Sequence, residues 1–181
     1  MDTHRKALGE NHPLVAVTLN SLSRVLIDQG RYDEAAAALE SALNIARPAL
    51  GSDHQLIAIY TINLGSVQLA RGEPKSAETL VREGLRVRLL APQMVPNRRR
   101  ILPDDDWSIG ATRSLLGAAL TAQAKYREAE SVLLAARHDL ESLPAPVQSV
   151  VRANTRRIVD LYMTWGKPDE AARYNITLVE K

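Results

Sequence analysis

The stretch Leu14–His54, LVAVTLNSLSRVLIDQGRYDEAAAALESALNIARPALGSDH, decides the fold, because the chain goes on to repeat it. Within it Leu19, Leu22 and Leu26 recur at helical spacing, Gly30 marks a corner, and Ala35, Leu39, Ala42 and Leu43 make a second apolar stripe. The landmarks return at a fixed interval: Gly9 and Gly51, His12 and His54, Gly30 and Gly72, and Ala35 and Ala77 each lie 42 residues apart. Such a period signals an array of helix pairs, each burying its apolar face on its neighbours. The expected fold class is all-α, a right-handed superhelical solenoid of antiparallel helix pairs.

Working outward, residues 13–54 form the first pair and 55–90 the second, where Leu64, Gly65, Gly72, Ala77 and Leu85 fall on the landmarks. Residues 107–148 form the third pair, with Leu116, Gly117, Leu120, Ala129, Leu133 and Ala136 in register. Residues 149–181 form the fourth, which doubles as a C-terminal cap; its Ala171 stands 42 residues after Ala129. Between Ala77 and Ala129 the interval grows to 52 residues, and the excess falls in 91–106. That segment holds Pro92, Pro96, Arg98-Arg99-Arg100 and Pro103-Asp104-Asp105-Asp106, and reads as an inserted loop whose aspartates cap the next helix. Residues 1–12 read as the tail of a truncated repeat, since Arg5, Ala7 and Leu8 match Arg47, Ala49 and Leu50. The expectation is a chain cut from a longer array or begun at an internal start, with an uncovered edge offering a self-association surface.

Composition narrows the function. Lys and Arg number 23 against 21 Asp and Glu, so no strong pull toward nucleic acid or a membrane surface is implied. Cysteine and phenylalanine are absent, which removes disulfides, thiolate metal sites and a cysteine nucleophile, and argues against a large aromatic-lined cofactor cavity. No apolar run approaches the roughly 20 residues that span a bilayer, and no signal peptide is visible. The expectation is a cytoplasmic chain with no cofactor, metal site or enzyme activity.

The internal pattern of the repeats carries a family resemblance. Leu22, Leu26, Gly30-Arg31-Tyr32-Asp33-Glu34-Ala35, Leu39 and Ala42 recur as Leu116-Gly117, Leu120, Ala124-Lys125-Tyr126-Arg127-Glu128-Ala129, Leu133 and Ala136, and the corner returns as Gly166-Lys167-Pro168-Asp169-Glu170-Ala171. This resembles the tetratricopeptide repeat. Ala7-Leu8-Gly9-Glu10-Asn11-His12-Pro13 and Ala49-Leu50-Gly51-Ser52-Asp53-His54-Gln55 further resemble the loop of the longer, kinesin light chain type of unit. The second half, through Leu161-Tyr162 and Trp165-Gly166, also resembles the repeat region attached to some bacterial serine/threonine kinases.

The resemblance implies a protein-protein interaction scaffold that takes a peptide or partner helix on the concave face lined by the first helix of each pair. Residues on that helix turned away from the Leu stripe are the candidate binding positions: Asn20, Arg24 and Asp28, then Ile62 and Ser66, then Ser114, then Arg156 and Asp160. The lysine, asparagine and arginine clamp with which some members grip a peptide C-terminus is not reproduced. Two other readings are a sensory or regulatory segment of a larger kinase or transcription regulator, and an RNA-binding solenoid. The latter needs polar code positions on every repeat, which Ile62, Ala118 and Met163 do not supply, so no nucleic acid is expected. His12 and His54 owe their spacing to the repeat, and no His-Glu-x-x-His pattern exists. Three arginines beside three aspartates read as a self-neutralising solvated loop, and Trp107 and Trp165 as packing residues.

Overall fold

The computed structural model describes residues 12–94, 107–143 and 147–179. Its described helices are α1 (Pro13–Asp28), α2 (Tyr32–Leu50), α3 (Gln55–Ala70), α4 (Pro74–Met94), α5 (Ser108–Thr121), α6 (Tyr126–Glu141), α7 (Gln148–Thr164) and α8 (Pro168–Val179). Odd-numbered helices are the first, or A, helices of each pair, and even-numbered ones the B helices. The chain divides into two compact units, Met1–Ala91 and Pro92–Lys181, each holding two pairs.

The corners are built alike. After α1, the Gly30 N–H donates to Ile27 O and the Arg31 N–H to Leu26 O, at 2.9 and 2.8 Å. This is a Schellman ending, in which a left-handed residue returns two amides to the last turn. Gly72 and Gly166 repeat it, with φ of 78° and 75°. In the third pair the same bonds form around Ala124, at φ 57°. The first two pairs also start alike. Nδ1 of His12 accepts the Leu14 N–H at 3.2 Å, and Nδ1 of His54 accepts the Leu56 N–H at 3.1 Å, so both histidines serve as N-caps. The aspartates expected to cap α5 lie outside the described residues.

In the first unit one core runs through α1, α2 and α3, from Val15, Leu19 and Leu26 through Leu39 and Leu43 to Ile57 and Leu64. Alanine does much of the filling: Ala16, Ala35, Ala42 and Ala46 are wholly buried, which lets the backbones approach closely. Leu22 is only half-buried, and Ser23 takes the fully buried place beside Leu19 and Leu26. At the crossing of α3 and α4, a side chain on Gly65 would meet Val81 Cγ2 at 2.7 Å, and one on Gly84 would meet Ile62 Cγ1 at 2.3 Å.

The second unit repeats this scheme. Gly117 lies against Leu133 and Gly110 against Leu140, so α5 and α6 touch without an intervening β-carbon. Asn154 of α7 donates to Leu133 O at 3.3 Å. Tyr162 donates its hydroxyl to Glu130 Oε1 at 2.8 Å; burial, then this bond, push its phenol well above the usual range. Trp165 stacks between Tyr126 and Tyr162, with centroids 5.6 and 6.4 Å away, and Tyr174 of α8 stacks on Tyr162 at 5.8 Å. Trp165 is thus a packing residue as expected. Trp107 is not: it stands 45% exposed just before α5.

Two helices run through a proline, and the second outruns its sequence-based end. α2 continues through Pro48 to Leu50, and α4 continues through Pro92 to Met94, four residues into the segment read as loop. A proline removes one backbone hydrogen bond and does not by itself end a helix near its last turn. The remainder of that segment, 95–106, lies outside the described residues, as does the 1–11 tail.

Candidate functional site

Within each unit the two A helices lie side by side and are joined by a polar rung. In the first unit Asn63 Nδ2 donates to Asn20 Oδ1 at 2.8 Å. In the second, Arg157 Nη1 donates to Ser114 Oγ at 2.9 Å. Each rung joins residues 43 apart, one more than the repeat. The extra residue matters: the position equivalent to Asn20 faces the neighbouring A helix, and the next position along the following helix faces back.

This phase sorts the expected binding residues. Arg24, Asp28, Ser66, Arg156 and Asp160 are exposed on their A helices. Asn20 is half-buried and engaged by Asn63. Two expectations are corrected. Ile62 is 8% exposed because it packs on Gly84, and Ser114 is 1% exposed because it sits beneath Arg157. Neither offers surface to a partner. Arg156, at the same repeat position, is exposed.

Between α5 and α7 lies a hollow of about 210 Å³, lined by Ala118, Thr121 and Ala122 on one side and Arg157, Asp160 and Thr164 on the other. The hydroxyls of Thr121 and Thr164 donate to the carbonyls of Gly117 and Asp160 in their own helices, at 2.9 and 2.7 Å. Arg157 is therefore the main donor facing a largely methyl-lined space. Burial pulls its pKa down, and the charge of Asp160 opposes that shift. Sequence reasoning singled out Asp160 and Arg156 but passed over Asn63, Arg157 and Thr164. On α3 Ile62 is buried and Asn63 is half-buried against Asn20, a one-residue offset that translation by the repeat does not show.

Other charges sit on the B-helix side and at the corners. Arg71 joins Asp33 and Glu73 at 2.9 and 3.5 Å, Arg47 of α2 joins Glu83 of α4 at 3.1 Å, and Arg86 joins Asp53 at 2.8 Å. Arg113 of α5 pairs with Asp139 of α6. Among the described residues no cluster of three or more His, Asp or Glu side chains is placed to hold a metal ion, and no helix is long and apolar enough to cross a membrane.

Residues 1–47 and 24–89 match the sequence model of the tetratricopeptide repeat. No curated protein matches the sequence. Among solved structures, the fold is similar to the nearly identical TPR-like repeats of a kinesin-light-chain-type protein from Podosopora anserina, with a TM-score of 0.69 at 20% identity over 96% of this chain and 77% of that one. A point-substituted form of those repeats gives a TM-score of 0.73 at 19% identity, over 97% and 78%. BtubC (BKLC) from P. vanneervenii gives 0.71 at 16% identity, over 94% and 67%.

Proposed function

We propose that this chain, a tetratricopeptide repeat protein with a kinesin light chain-like fold, is a scaffold that binds a peptide or partner helix on its A-helix faces. The observation that carries the reading is the hollow between α5 and α7, built from two adjacent A helices and lined by Ala118, Thr121, Ala122 and Thr164 with Arg157 and Asp160. A space of this kind seats a side chain, while the exposed polar positions around it fix register. In the first unit, Arg24 and Asp28 on α1 and Ser66 on α3 are the corresponding exposed positions. Tetratricopeptide modules serve protein interaction generally, and no catalytic group enters this reading.

The test is selection of a random-peptide library displayed on phage against the immobilised chain. Peptides enriched on the wild type should bind Arg24→Glu/Arg156→Glu about fivefold or more weakly, with melting temperature unchanged, because both side chains are exposed. Glu40→Lys, on the outer side of α2, should bind them normally. Loss at Glu40→Lys with normal binding at the A-helix variant would move the site to the B-helix side.

A further inference from the structure

We infer that two copies of this chain join head to tail, the exposed face of α7 and α8 in one copy seating α1 of the next. The repeat register shows what each of these faces meets inside a unit. On α3, Leu56 and Ile59 pack against the first core, and Val67 lies within it at 1% exposure. The α1 residues 42 positions earlier are Leu14, Val17 and Val25. All three are exposed, Val25 at 51%. α1 therefore carries the apolar surface with which α3 joins the pair before it, and on α1 that surface is open.

The other half of the joint lies on α7 and α8. Residues of the fourth pair stand 136 positions after their counterparts in the first, the interval from Ala35 to Ala171. Met163 of α7 is 59% exposed, while its counterpart Ile27 packs against the core that holds Val67. Ala172 of α8 is exposed, while its counterpart Ala36 is buried in that core. At the joint Met163 and Val25 take the places of Ile27 and Val67. They are the two most exposed large hydrophobic side chains among the described residues. Charge agrees with this match. The hollow between α5 and α7 has Ala118 on one wall and Asp160 on the other. One pair further along the register, those two positions are Asp160 of one copy and Arg24 of the next, both exposed and opposite in sign. Both halves of the match stand on this one chain, so the occupant is a second copy. A contact between two different faces of one chain is heterologous, and it continues from copy to copy unless a ring closes.

Sedimentation velocity on the full chain, with no peptide present, tests the joint separately from the peptide-binding reading. The weight-average mass of the wild type should rise with concentration between about 1 μM and 1 mM. Met163→Glu and Val25→Glu should each stay monomeric over that range, with melting temperature unchanged because both side chains are exposed. Mixed in equal amounts, the two variants should form a one-to-one dimer and nothing larger, because one supplies an intact α1 and the other an intact α7. Asp160→Arg should weaken association about tenfold or more, and Arg24→Asp in the same chain should restore it, as expected for direct partners. A wild type that stays monomeric to the top of the range would overturn the proposal, and would assign the α1 face to residues 1–11 of its own chain or to a different protein. Association lost in Val25→Glu but kept in Met163→Glu, with no dimer in the mixture, would mean that α1 pairs with α1, and would overturn it equally.

Discussion

Ala124 occupies a left-handed corner, φ 57°, where Gly30, Gly72 and Gly166 stand in the other pairs. A β-carbon in that region costs roughly 1–2 kcal/mol relative to the right-handed conformation, partly offset by the lower unfolded-state entropy of alanine. Ala124→Gly should therefore stabilise the chain by about 0.5–1 kcal/mol, read as a raised midpoint in urea with an unchanged slope; a lowered midpoint would mean that the Ala124 methyl makes packing contacts that outweigh the strain. The corner was legible because its residues fall on the repeat. The binding face was less so. Translation by 42 residues aligns Asn20 with Ile62 and Ser114 with Arg156, but the rungs join Asn20 to Asn63 and Ser114 to Arg157. A helix turns about 100° per residue, so a one-residue offset moves a side chain from the neighbouring helix to open surface. Equivalence in sequence is therefore not contact in space.

At the scale of elements, the start of each pair in the first unit depends on a histidine. His12 and His54 hold the second amide of α1 and α3, the place that Ser, Thr or Asp commonly fills. Their spacing was readable as a consequence of repetition, but the cap was not, because histidine is not among the usual capping residues. His54→Ala should cost about 1 kcal/mol, and His54→Asp should restore it, since a carboxylate accepts the same amide and suits the positive end of α3. Paired chemical denaturation of the two variants checks this; equal loss in both would place the role of His54 elsewhere than in the cap. The helix end that composition misplaced was at Pro92, inside the segment read as loop, where α4 runs on to Met94. In α2 the burial of Ala46 and the packing of Leu50 on the core hold the last turn in place against the bond lost at Pro48.

The molecule as a whole is two compact units, each with its own buried set, and most contacts run between a helix and its successors. In an array of this kind stability is a sum of local terms, so damage to one pair need not spread evenly. Leu39, fully buried at the centre of the first core, offers the sharpest probe. Leu39→Ala should destabilise the first unit by roughly 2–5 kcal/mol, the usual cost of a buried leucine truncated to alanine. Native-state hydrogen exchange on the full chain should then show protection falling across α1, α2 and α3, which share that core, and falling much less across α5, α6 and α7. A uniform fall would instead mean that the chain unfolds as one cooperative body, and that partner binding at α7 would stabilise the first unit as strongly as the second. An uneven fall would confine the stabilising effect of a peptide in the α5–α7 hollow mainly to the unit that holds it, which protection measured with an enriched peptide present would report directly.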